Sequence, residues 1–221
     1  MWDFNILILL VGTNPLPNFV VPEYFLKRNN SLKEIFLIYS EERGRQRGTK
    51  SYADNLQKLL QSRHGNRNLE FHLIHLSNIS SAKEIERDLR DGLMSHLKNN
   101  LSIHLNYTGG TKVMATHVYR WIENYAKNKN INASFSYLDA RDFRIVDDNI
   151  KENITGDLRD EISLSLKELI ELHGFIRTNE PSDASQLFED AIKEFKKLIE
   201  ADRLKDYFAT YNRKIFTDDK C

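Results

Sequence analysis

Cysteine is almost missing from this chain: its 221 residues hold one, Cys221, at the last position. An intramolecular disulfide is therefore impossible and a metal site made of several thiolates is excluded, which fits a reducing, cytoplasmic setting. Proline is scarce too, with four residues, all where turns or helix starts are expected. No proline-rich or glycine/serine-rich tract and no internal repeat divides the chain into modules. Long apolar runs are lacking. The stretch Ile6 to Val11 is far too short for a signal core or a bilayer span, and the start before it carries Asp3 rather than a basic run, so an unexported chain with no membrane partner is expected. Neither sign of charge prevails, with 32 Lys and Arg against 32 Asp and Glu. Nothing in the whole-chain charge draws it to duplex DNA or an anionic surface, and any anion site must be local.

What the chain does contain is alternation. Short apolar runs (Phe4 to Val11, Lys33 to Tyr39, Leu69 to Leu76, Leu101 to Asn106, Ala133 to Leu138) alternate with segments of helical period (Phe19 to Arg28, Lys50 to Arg63, Ala82 to Lys98, Lys112 to Lys127). In the third helical segment Ile85, Leu89, Leu93 and Leu97 make one stripe. The first strand is apolar on both faces, as only a strand covered on both sides can be, and should lie centrally. Asp139 to Asp142 reads as a tight hairpin that adds Phe143 to Val146 as an antiparallel strand. The expected class is α/β, a Rossmann-like, mostly parallel sheet flanked by helices. The sheet domain spans residues 1–150, and 151–221 form a helical appendage with helices over Ser163 to His173, stopped by Gly174, and Ala184 to Ala201, with Leu204 to Phe216 as an extension.

In such a sheet, ligands bind beyond the carboxyl ends of the strands, where the following helices present unpaired N–H groups and positive dipole ends. After the fourth strand stands Tyr107-Thr108-Gly109-Gly110-Thr111-Lys112. Adjacent glycines allow backbone conformations closed to other residues and a close approach to phosphate, and Thr111 and Lys112 open the helix with a hydroxyl and an ammonium. The same residues also make sense as a plain strand-to-helix turn with Thr111 as its N-cap. Neither the Walker spacing nor the Gly-x-Gly-x-x-Gly fingerprint is present, which argues against a P-loop ATPase or an NAD enzyme.

After the first strand, Gly12-Thr13-Asn14-Pro15-Leu16-Pro17-Asn18 offers Thr13, Asn14 and Asn18 either to a ribose or base edge or to the capping of turns. The arginine-bearing loop Ser40 to Lys50 either closes over an anion or is a solvated surface loop. No histidine pair has helical metal-ligand spacing, so no metal site and no cofactor are expected.

The segment Leu105 to Met114 is similar to the Asn-x-Thr/Ser-Gly-Gly-Thr-Lys-x-Met signature of the CARF domain, the CRISPR-associated Rossmann fold that senses cyclic oligoadenylates made by type III CRISPR complexes. Leu10 to Asn18 resembles the first-strand exit of those members fused to nuclease or adenosine deaminase effectors, and Ser165 to Gly174 the segment leaving the domain in such fusions. The likeness covers roughly residues 4 to 147.

It implies a homodimer in which a ring of adenylates, tetra- or hexa-adenylate, lies across a two-fold axis. Gly12, Thr13, Asn14, Asn18, Thr108, Gly109, Gly110, Thr111 and Lys112 are the ligand-binding residues on this reading. A covalently linked effector outside this chain is a further implication, as is a role in antiviral defence. One alternative is a metal-independent ring nuclease, with Lys112 stabilising the charge that develops on phosphorus. Another is a helix-turn-helix regulator. The second is opposed by Glu189, Asp190, Glu194 and Glu200, which offset the lysines of the last helix, and by a connection too long for that motif.

Overall fold

The computed structural model describes residues 2–42, 44, 47–97, 101–148 and 155–175, together with 189, 190, 192–194, 196, 197 and 200. The chain divides into two compact units, Met1–Ile176 and Arg177–Cys221. In the second, the described residues are helical and Ile192 is exposed. The remainder of the helix expected over Ala184 to Ala201, and the extension Leu204 to Phe216, lie outside the described residues.

The first unit is the α/β sheet. Its elements are β1 (Ile6–Leu10), α1 (Leu16–Arg28), β2 (Glu34–Ser40), α2 (Lys50–Arg63), β3 (Glu70–Leu76), α3 (Ala82–Leu93), β4 (Ser102–Asn106), α4 (Lys112–Lys129), β5 (Asn132–Asp139), β6 (Arg144–Asp147) and α5 (Leu166–Leu172). The sheet order is β3-β2-β1-β4-β5-β6, with β1 to β5 parallel and β6 antiparallel to β5. Every residue of β1 is buried. Leu7 and Leu9 face Phe19, Phe25, Leu56 and Leu60 of α1 and α2, while Ile6, Ile8 and Leu10 face Leu89, Leu93, Val118 and Ile122 of α3 and α4. At about 1.5–3 kcal/mol for each fully buried large aliphatic side chain, these two cores are the main source of stability.

The two faces explain where the helices begin and end. Helix α1 starts at Leu16 rather than Phe19, because Pro17 sits in the first turn, where a missing N–H costs nothing. Ser81 accepts a hydrogen bond from the Glu84 N–H and starts α3. That helix stops at Leu93 instead of running to Lys98, as the low helix propensity of Gly92 and Ser95 favours, and Leu97 is buried from the turn that follows. Helix α4 ends at Asn130 in the left-handed region, φ 52°.

Helix α5 opens with a reciprocal cap between Ser165 and Glu168. Arg63 of α2 holds Glu168 at 2.7 Å and Glu23 of α1 at 3.2 Å, so α5 is tied to both helices of one face. Segment 155–175 thus belongs to the first unit, beyond the boundary expected at residue 150.

His104, inside β4, is fully buried, with Phe4 stacked on it at 4.6 Å and Trp2 and Phe25 edge-on at 5.0 Å. Its two nitrogens stand 2.7 Å from the hydroxyls of Ser134 and Ser136. Ser136 Oγ already accepts from Asn106 Nδ2 and Ser134 Oγ donates to the Ile103 carbonyl, so Ser136 donates to Nε2 and Nδ1–H donates to Ser134. The ring is satisfied only when neutral, and burial brings its pKa down from 6.5 to about 3.

The unfolded chain takes up a proton near pH 6.5 that the native chain refuses until about pH 3, so this contribution to stability is present above pH 6.5 and is lost as the pH falls. At 1.36 kcal/mol per unit, acidification from pH 7 to 5 should cost about 2 kcal/mol through this one group. Urea unfolding should show that loss in the wild type and a smaller one in His104→Gln. Equal pH dependence in both would contradict the assignment.

Candidate functional site

The strand order reverses between the parallel neighbours β1 and β4. The chain leaves β1 for α1 on one face and leaves β4 for α4 on the other, which opens a crevice at their carboxyl ends. The hydrogen-bonded chain that begins at His104 runs directly to it. Asn106 Oδ1 accepts from the Thr108 hydroxyl at 2.7 Å, and Thr108 Oγ1 accepts from the Leu138 N–H at 2.6 Å. Thr108 is therefore a clamp between the exits of β4 and β5.

The glycines have separate tasks. A Cβ on Gly109 would stand 1.9 Å from the Leu10 carbonyl oxygen and 2.8 Å from the Asn18 side chain, so Gly109 is what lets the β4 exit lie against the β1 exit. Gly110 has φ +73°, a conformation that side chains disfavour, and it is exposed. Asn18, 1% exposed, donates from Nδ2 to the Leu10 carbonyl at 2.7 Å and accepts from the Gly12 N–H at 3.3 Å. It fixes the first loop from beneath, and both ends of its amide are engaged within the protein. Asn18→Ala leaves the buried Leu10 carbonyl without this partner, for which the expected cost is about 1–3 kcal/mol. A chemical-denaturation midpoint unchanged in that variant would contradict the role.

Above this base, Gly12, Thr13, Gly110 and Thr111 line a cleft of about 270 Å³ whose other wall includes Ser40, Arg47 and Thr49. Thr111 caps α4 by accepting from the Met114 N–H at 3.2 Å, which leaves the first amides of α4 and its positive dipole end at the cleft. Asn14 is exposed, and its Oδ1 accepts from the Leu16 N–H at 3.3 Å in the turn that precedes α1. Lys112 is exposed at the start of α4.

Neither Lys112 nor Arg47 forms an ion pair among the described residues. Of the nine residues expected to form the site, four surround the cleft directly. Asn14 stands on the first loop and Lys112 opens α4, and Thr108, Gly109 and Asn18 build the loops' support. From the Ser40 to Lys50 loop, Arg47 is exposed and lines the cleft, while Arg43 and Arg45 lie outside the described residues.

An aromatic group beside the cleft had no signature in the sequence. Tyr107 donates to Asp148 at 2.7 Å and packs against Tyr119 and Tyr137. Burial, more than the neighbouring carboxylate, pushes the Tyr107 phenol up, so it stays a donor.

A mostly parallel sheet flanked by helices, with a cleft where its strand order reverses, places the first unit in the Rossmann-like α/β class. The family model described as the Card1 CARF domain matches residues 6–165, and the chain belongs to that family. No curated protein matches it.

Among solved structures, protein VC1899 from Vibrio cholerae aligns with a TM-score of 0.52 and 14% identity over 69% of this chain and 35% of its own. A type III CRISPR defence DNA nuclease activated by cyclic oligoadenylate aligns at 0.51 and 17% identity, over 94% of this chain and 30% of its own. Enterococcus italicus Csm6, bound to cyclic hexa-2'-fluoro-hexa-dAMP, aligns at 0.47 and 16% identity, over 93% and 47%. The chain spans less than half the length of each, and at these identities the likeness is one of fold. No helix among the described residues is long and apolar enough to cross a membrane.

Proposed function

We propose that this chain is a sensor domain that binds a cyclic oligoadenylate second messenger at the exits of β1 and β4 and thereby regulates an effector in type III CRISPR defence in the cytoplasm. The observation that carries the reading is the cleft itself: two glycine-bearing strand exits, the amino end of α4, which Lys112 opens, and Arg47 come together at the crevice of a Card1 CARF-family fold. That one structural neighbour is a nuclease activated by cyclic oligoadenylate, and another holds a cyclic hexanucleotide analogue, accords with it.

Phosphates would take the amides of Gly110 to Lys112 together with the Lys112 ammonium, because charge-assisted bonds to an anion are about twice as strong as neutral ones. Thr13 and Asn14 would meet ribose or base from the opposite loop. One cleft grips only part of a ring, and a symmetric ring calls for equivalent groups on both sides, so the binding species is a homodimer about a two-fold axis. No cofactor is needed for this.

The test is capture from an equimolar mixture of cyclic tetra- and hexa-adenylate in EDTA, followed by mass spectrometry of what is recovered. Intact ring of one size is the expected result. Recovery of linear fragments would make the domain a metal-independent ring nuclease instead, and failure to retain either ring would overturn the reading.

A further inference from the structure

At the other end of the sheet from the cleft, three metal-ligating side chains from three elements meet. Glu34 opens β2, His72 lies near the start of β3, and His96 stands in the turn after α3. One ligand atom of each lies within 4.8 Å of the other two. The strand register explains the meeting: Phe36 and His72 are opposite one another, so Glu34, two residues before Phe36, shares their face, and that is the face α3 covers.

The spacing is close to what a metal requires. His72 Nε2 is 3.1 Å from Glu34 Oε2, and two ligands on a tetrahedral ion with bonds of about 2.0–2.1 Å stand roughly 3.3 Å apart. His96 sits in the turn after α3, with a ligand atom within 4.8 Å of those of Glu34 and His72. Phe36 stacks on His72 at 4.4 Å and meets His96 edge-on at 5.4 Å, and the two imidazoles are 4.1 Å apart. The Phe36 ring thus packs against both imidazoles. All three ligands are half-buried, and Glu70 Oε2, 4.0 Å from the same His72 nitrogen, stands near for a fourth position that water can also take.

We propose that Glu34, His72 and His96 form a binding site for a divalent transition metal. Two imidazoles and one carboxylate suit zinc best among the common ions, and a tetrahedral site with three protein ligands keeps one position open. The ion joins β2 and the edge strand β3, already paired through their backbone ladder, to the turn after α3. Its effect is therefore on stability, and the site is independent of the ligand cleft.

The whole chain, without a histidine tag and stripped with EDTA, is titrated with zinc chloride in a calorimeter and melted with and without the ion. One equivalent per chain and a raised melting temperature are expected. His96→Ala, a change in a turn, should abolish both, with an affinity loss beyond the roughly 10–100-fold that removing an outer-shell partner causes. His117→Ala should leave both intact. The absence of stoichiometric binding, or equal affinity in His96→Ala and wild type, would overturn the proposal, and a loss in His117→Ala equal to that in His96→Ala would do so by showing diffuse uptake on surface histidines.

Discussion

Gly109→Ala should unfold the first unit at a markedly lower temperature than any other single-methyl change in the two loops. The added carbon would lie 1.9 Å from the Leu10 carbonyl oxygen, and that atom belongs to a strand paired on both sides, which cannot give way. Relief by moving the β4 exit would break the Thr108 clamp. Overpacking of this kind costs about 1–3 kcal/mol and sometimes more, and a backbone collision belongs at the top of that range. For a domain of this size, 3 kcal/mol corresponds to a fall of roughly 6–12 °C.

Gly110→Ala is the informative contrast. There the nearest atoms are the mobile end of Met114 at 3.2 Å and the Leu10 Cβ at 3.3 Å, and the main cost is the φ of +73°, worth about 1–2 kcal/mol. Melting curves of the two variants should rank them in that order. A Gly109→Ala melting temperature within a degree or two of the wild type would show that the two strand exits are not held as described.

Lys112→Ala should act in the opposite manner, lowering affinity for cyclic oligoadenylate and leaving the melting curve where it was. The side chain is exposed and forms no ion pair among the described residues, so its removal takes away no contact of the folded state. Its bond to a phosphate is charge-assisted, worth about 1.5–3 kcal/mol, which is roughly a 10- to 150-fold loss in affinity. If both protomers supply a lysine to one ring, the loss counts twice and lies at or beyond the upper end of that range. Unchanged affinity in this variant would remove the β4 exit from the site.

Much of this was legible in the sequence, for physical reasons that differ by element. The six strands follow from short apolar runs bounded by polar turns, and the antiparallel sixth from the Asp139 to Asp142 hairpin, where Asp139 accepts from the Arg141 backbone N–H. The central place of β1 followed from a run with no polar face.

What the sequence did not disclose lies between segments. Gly109 looks like a residue kept small for a phosphate, yet the group nearest its missing side chain is a carbonyl of the protein's own first strand. Asn18 looks like a free amide in a loop, and is a buried brace inside the first turns of α1. Arg47 comes to the cleft only because β2 lies beside β1. Glu34, His72 and His96 are far apart along the chain, and a spacing rule detects metal ligands only when one element carries them. The Arg63–Glu168 pair, which holds the Glu168 carboxyl down to about 2, is likewise a product of packing between α2 and α5.

The central claim is that two copies of this cleft hold one ring. Calorimetric titration of cyclic tetra- and hexa-adenylate into the protein, read together with its sedimentation, tests it most directly. The predicted result is a dimer that saturates at one ring for every two chains with one of the two ligands. Saturation of a monomer at one ring per chain, or no saturable binding of either ring, would contradict it.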